Sequence, residues 1–123
     1  MQHFSPSEFK CGCGQCGFGF ESMQPSTLEL LDACRALADV PFVITSSIRC
    51  VAHNSAVGGA DRSAHVTGHA VDIRVIDSNT RHKILNAAFR LKVPRIGIAR
   101  TFIHLDNSPH LAADVVWLYA NRT

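Results

Sequence analysis

Ser63-Ala-His-Val-Thr-Gly-His-Ala-Val-Asp72, read with Phe102-Ile-His-Leu-Asp106, decides how this chain of 123 residues is to be understood. The two stretches offer His65, Asp72 and His104 as imidazole and carboxylate ligands. A catalytic zinc commonly takes three protein ligands from His, Asp or Glu and leaves its fourth position to water, whose pKa it lowers towards about 7. Two histidines and one aspartate fit that pattern. Positions 65 and 72 are too far apart for one helical face, but a loop turning at Gly68 into a strand can bring them together. The histidine of a neighbouring strand can then close a tetrahedron.

The strand after Gly68 is Ala70-Val-Asp-Ile-Arg-Val75. Val71, Ile73 and Val75 fall on one face and Ala70, Asp72 and Arg74 on the other. An acid on the inner part of a strand needs a partner, because burying a bare carboxylate costs several kcal/mol. A metal ion would serve. Further on, Arg95-Ile-Gly-Ile-Ala99 and Thr101-Phe-Ile-His-Leu-Asp106 read as a hairpin that puts Phe102, His104 and Asp106 on one face, Ile103 and Leu105 on the other. Asp106 lies roughly 6 to 7 Å along the strand from His104.

Working outward, Ser26-Thr-Leu-Glu29 has the form of a capping box. It opens a helix whose apolar face is Leu28, Leu31, Cys34, Leu37 and Ala38 and which Val40-Pro41 should stop. Cys34 is therefore read as core. Phe42-Val-Ile-Thr-Ser46 is a short β-rich run that delivers Ser46, Ser47, Arg49 and Cys50 to its end. Residues 51 to 62 have loop chemistry. A second helix follows, capped at Asp77 or Ser78, with Ile84, Leu85, Ala88 and Leu91 as its stripe and Pro94 as its stop. Asp114 to Tyr119 is a last strand carrying Trp117. The expected fold is α+β, a small antiparallel sheet with two main helices packed on one face, in a single domain spanning residues 1 to 123.

Composition narrows the function. Apolar residues make up 46% and charged residues 18%, the balance of a globular chain with a real core. No apolar run approaches the ~18 residues of a membrane span. A formal charge of +2 with scattered Lys and Arg gives no reason to expect nucleic-acid binding. The first twenty residues lack a signal-like apolar stretch, so synthesis in the cytoplasm without a signal peptide is expected.

Residues 1 to 20 read as an irregular, Cys- and Gly-rich arm laid on the core by Phe4, Phe9, Phe18 and Phe20. Cys11-Gly-Cys-Gly-Gln-Cys16 holds three of five cysteines. They could be structural thiols, could bridge to Cys50, could hold a second, structural zinc, or could serve redox chemistry.

The chain resembles the zinc peptidases of the M15 type, which include D-alanyl-D-alanine carboxypeptidases, murein endopeptidases and phage endolysins and share a fold with the hedgehog signalling domain. The resemblance rests on Ile44-Thr-Ser-Ser-Ile-Arg-Cys50, His53-Asn-Ser-Ala-Val-Gly-Gly-Ala60, the Ser-x-His-x-x-Gly-x-Ala-x-Asp core at 63–72, and Arg95-Ile-Gly-Ile with Phe102-Ile-His-Leu-Asp106. It runs from about Phe4 to about Trp117. It implies a hedgehog/DD-peptidase-like fold and one zinc ion held by His65, Asp72 and His104. Arg49 would grip a substrate carboxylate or the developing oxyanion, and Ser63 would be a substrate-binding cleft residue. The implied reaction is hydrolysis of a peptide bond in peptidoglycan by a monomeric enzyme, acting after release or as part of a virion.

In one respect the chain departs from that pattern. Many members carry an acid or a second His two or three positions before the last ligand, where this chain has Phe102 and Thr101. Asp106 is the nearest ionisable alternative, either as the catalytic base or as a carboxylate orienting a ligand. His53, His69 and His110 are lesser candidates. The alternative function is a zinc-stabilised module that binds cell-wall peptides without cutting them.

Overall fold

The computed structural model describes residues 2–120. Three α-helices, α1 (Pro25–Ala38), α2 (Val51–Ala56) and α3 (Ser78–Arg90), accompany five strands, β1 (Ile44–Ser46), β2 (Ala70–Arg74), β3 (Arg95–Ile98), β4 (Phe102–Asp106) and β5 (Val115–Leu118). The strands form one sheet in the order β1-β2-β4-β3-β5. Four of them pair antiparallel as expected, but β5 joins β3 in parallel, so the sheet is mixed. The register shows how. β4 ends at Asp106 opposite Arg95, the first residue of β3, and Val115 also pairs with Arg95. The connection between β4 and β5 therefore only has to pass the end of β3, and Arg95 Nη1 donates to Ala112 O at 2.7 Å across it.

One face of this sheet is apolar and covered. Val71, Ile73, Ile96, Ile103 and Leu105 are buried in the same core as Leu28, Leu31 and Cys34 of α1 and Ile84, Ala87 and Ala88 of α3. Each large aliphatic side chain so buried contributes roughly 1.5–3 kcal/mol. The period-2 pattern in β2 and β4 and the period-3.6 pattern in the helices thus meet on one surface. Cys34 is fully buried, as its place in the stripe requires.

Local details depart from expectation in instructive ways. α1 starts at Pro25 with Gln24 as its N-cap, and Ser26 forms no capping box. Proline at the first helical position supplies a fitting φ and has no amide to satisfy. The helix ends at Ala38, before Val40-Pro41, because Asp39 takes a left-handed conformation (φ 56°) and donates its amide to Arg35 O. β1 covers Ile44–Ser46 only. Residues 51 to 56, expected as loop, form α2, whose N-cap is Cys50: its Sγ accepts the His53 amide at 3.4 Å. A helix this short shows no apolar period. At α3 the Asp77 carboxylate caps as expected, accepting from Thr80 N. In the N-terminal arm Phe4 and Phe9 are buried and Phe20 packs beside Phe9, but Phe18 is 47% exposed.

Candidate metal centre and cleft

The opposite face of the sheet carries polar side chains in one transverse row. Ser46 pairs with Asp72, Asp72 with His104, His104 with Gly97 and Gly97 with Trp117, so a single row of the ladder crosses all five strands. Because side chains alternate along a strand, a slip of one residue in β2 or β4 would turn Asp72 or His104 into the helix-packed core. The third expected ligand, His65, comes from the turns before β2. Gly68, at φ 78°, and the bonds from Arg49 N and Gly68 N to His65 O hold that segment beside the row.

His65, Asp72 and His104 are all buried, and the ligand atoms of the three lie within 4.8 Å of one another. His65 Nε2 stands 3.2 Å and His104 Nδ1 2.9 Å from Asp72 Oδ1. Neighbouring ligand atoms in a tetrahedral zinc site with bonds of about 2.0–2.2 Å are roughly 3.3–3.6 Å apart. The outer nitrogens settle the tautomers. His65 Nδ1 is 2.7 Å from Ser47 O, which only accepts, so in the neutral ring Nδ1 holds the proton and Nε2 a lone pair. His104 Nε2 is 2.5 Å from Asp106 Oδ2, so its lone pair is on Nδ1. Two nitrogen lone pairs and a carboxylate oxygen therefore converge, an arrangement that demands a cation. The three residues fit a zinc ion.

The same contacts set the charges in the absence of metal. Burial alone would raise the Asp72 carboxyl pKa, but hydrogen bonds from His104 and His65 outweigh it and hold the group well below the usual carboxylate range. Burial alone would lower that of His104, but Asp106 and Asp72 on either side raise it. Asp106 is likewise held low, burial being outweighed by His104, the Ser108 amide and Arg95.

Asp106 is 1% exposed. Its Oδ2 takes His104, while Oδ1 accepts the Ser108 amide at 3.1 Å and lies 2.9 Å from Arg95 Nε, an ion pair by distance whose N–H is not aligned as a hydrogen bond. Arg49 Nε donates to Ser46 Oγ at 3.0 Å and Nη1 to Asn54 Oδ1 at 3.2 Å, which sets Nη2 3.4 Å from Asp72 Oδ2. Ser63 accepts the His65 amide on its hydroxyl at 3.2 Å. Arg49, Ser63, His65, Asp72, Arg95, His104 and Asp106 all line one cleft of about 570 Å³. His69, by contrast, is engaged with Thr67 Oγ1 at 2.7 Å and does not belong to the ligand set.

The profile of the family Peptidase M15 matches residues 2–106. The chain belongs to the peptidase M15 family. A search of curated proteins gives no match. Among solved structures, this M15 peptidase is similar to a Serratia marcescens L-Ala D-Glu endopeptidase, ChiX, at 23% identity and a TM-score of 0.49; the similarity covers 58% of this chain and 63% of that one.

Sequence reasoning missed the far wall of the cleft in this M15 peptidase. Trp117 and Tyr119 of the β5 segment line it with Phe102. The Trp117 ring lies 5.3 Å from that of His104 and under the Arg95 guanidinium at 5.0 Å, and Tyr119 lies 5.0 Å from Phe102. Gly97 makes this possible: a Cβ there would stand 2.7 Å from the indole and 2.6 Å from the Tyr119 ring. The alternation of Val115, Trp117 and Tyr119 was the available signal, but it does not say which strand β5 joins.

Proposed function

We propose that this M15 peptidase hydrolyses a peptide bond in peptidoglycan stem peptides or cross-links, using one zinc ion at His65, Asp72 and His104. The observation that carries the reading is the convergence of three lone-pair donors, with both imidazole tautomers fixed from outside. Zinc bound there would polarise a peptide carbonyl and make water acidic enough to attack near neutral pH. The substrate class follows from the family resemblance.

The chain's own groups divide the remaining work. Ser47 O and Asp106 hold the outer protons of His65 and His104, keeping each ligand nitrogen bare and aimed inward. Asp106, with both oxygens engaged, is a positioning residue for His104. Arg49 is held by Ser46 and Asn54 and presents its guanidinium at the cleft, where it can take a peptide carboxylate or the oxygen that becomes negative in the transition state. Ser63 props the His65 amide and lines the substrate side. Phe102, Trp117 and Tyr119 form an apolar wall that shields the reacting peptide from water.

The test is mass analysis of soluble fragments released from purified peptidoglycan sacculi, with and without a chelator. Stem-peptide fragments that vanish with chelator and return with zinc are expected, and their masses name the bond. A second reading, a zinc-stabilised module that binds cell-wall peptides, draws on Thr101 and Phe102 standing where many members place an acid or His. Binding to sacculi by folded, zinc-loaded protein without any released fragment would favour it.

A further inference from the structure

A second set of metal-ligating atoms stands outside the cleft. Cys11, Cys13, Cys16 and Cys50 bring their four sulfurs within 4.8 Å of one another, and none of the four lines the cleft. We infer that they bind a second zinc ion as a four-thiolate structural site tying the N-terminal arm to helix α2.

Four sulfurs that all lie within 4.8 Å of one another are close enough to share a single ion. Zinc–sulfur bonds of about 2.3 Å set neighbouring sulfurs roughly 3.8 Å apart, and Cys13 Sγ and Cys50 Sγ are separated by 3.9 Å. A disulfide needs a separation near 2.05 Å, and all four thiols are free. Every sulfur also faces a backbone amide at 3.4 Å: Gln15 and Cys16 donate to Cys13, Phe18 to Cys16, Cys50 to Cys11, and His53 to Cys50. Amides directed at sulfur stabilise thiolates, the form that binds metal, and orient them as outer partners do in metal sites. Gly14 and Gly17, at φ 69° and 80°, let the short loop curl around the sulfurs. On binding, the four thiols release their protons to solvent and the ion takes their place.

The physical need is evident in the arm itself. Among the described residues, those before α1 hold no strand and only two short 3-10 turns, and Phe4, Phe9, Cys11 and Met23 are the side chains they bury in the core. A metal cross-link from residues 11–16 to Cys50 fixes the start of α2, the helix whose Asn54 holds Arg49. The inference stands whether or not the cleft turns substrate over.

The experiment uses the full, reduced chain. Elemental analysis is expected to give two zinc ions per chain, and cobalt(II) replacement is expected to give the intense charge-transfer absorption of thiolate–cobalt bonds. The His65→Ala/His104→Ala variant should keep one metal and that absorption, whereas Cys13→Ser/Cys16→Ser should lose the absorption and keep the cleft metal. One zinc per chain without thiolate absorption in the unmodified protein overturns the proposal. So does a disulfide among the four cysteines, found by non-reducing peptide mapping, with no second metal. Because the unmodified chain alone gives a decisive spectrum, the result does not depend on the variants folding.

Discussion

Asp106 holds His104 from a buried position: Oδ2 takes the imidazole, Oδ1 takes the Ser108 amide, and the Arg95 guanidinium lies against Oδ1. Replacing it by Asn keeps the size and loses the charge that holds the Nε2 proton. Asp106→Asn is expected to weaken zinc affinity by about 10–100-fold with the fold retained, measured by competition with a chromophoric chelator and by circular dichroism. Undiminished affinity with lost turnover would instead make Asp106 the proton-moving base. Arg49 tests differently. Arg49→Lys preserves one charge but not the fork that meets Ser46, Asn54 and Asp72 together. A loss of about 10–100-fold in kcat/KM at unchanged zinc content is expected, the worth of one charged hydrogen bond. The convergence of His65, Asp72 and His104 was legible from residue types and spacing. For Asp106 the sequence left two roles open, catalytic base or a carboxylate orienting a ligand, because strand geometry gives the separation of two Cα positions and does not say whether the side chains lean together.

Among the elements, β5 contributes most that the sequence conceals. Its partner is β3, not the strand before it in the chain, and a parallel pairing has no turn signal to announce it. α2 was hidden for another reason: six residues capped by a cysteine thiol carry neither an apolar stripe nor one of the usual oxygen caps. By contrast α1, α3, β2 and β4 were readable because long or strictly alternating apolar patterns leave one choice of face. Gly97→Ala should show how closely β5 is fitted. The added methyl meets Trp117 and Tyr119, so stability should fall by about 1–3 kcal/mol in urea unfolding. On the covered face, Ile84→Ala in α3 empties a fully buried site and should cost about 2–5 kcal/mol in the same assay.

At the scale of the whole molecule, metal and fold are linked. His65, Asp72 and His104, buried on two strands and a turn, have converging lone pairs that only a cation or protons can reconcile, so an ion bound there in the folded state alone would stabilise it. With free zinc a hundredfold above its dissociation constant, the gain is about 2.7 kcal/mol per site. Chelation should therefore lower the thermal midpoint, and zinc should restore it, in scanning calorimetry. Among the described residues no helix is long and apolar enough to cross a membrane. The chain contains a single tryptophan, and it is Trp117, whose ring stands beside His104 in the cleft wall. All indole emission from this protein thus originates at the cleft, so a quenching ion such as copper(II) or an arriving peptide can be followed by intrinsic fluorescence, with no label attached.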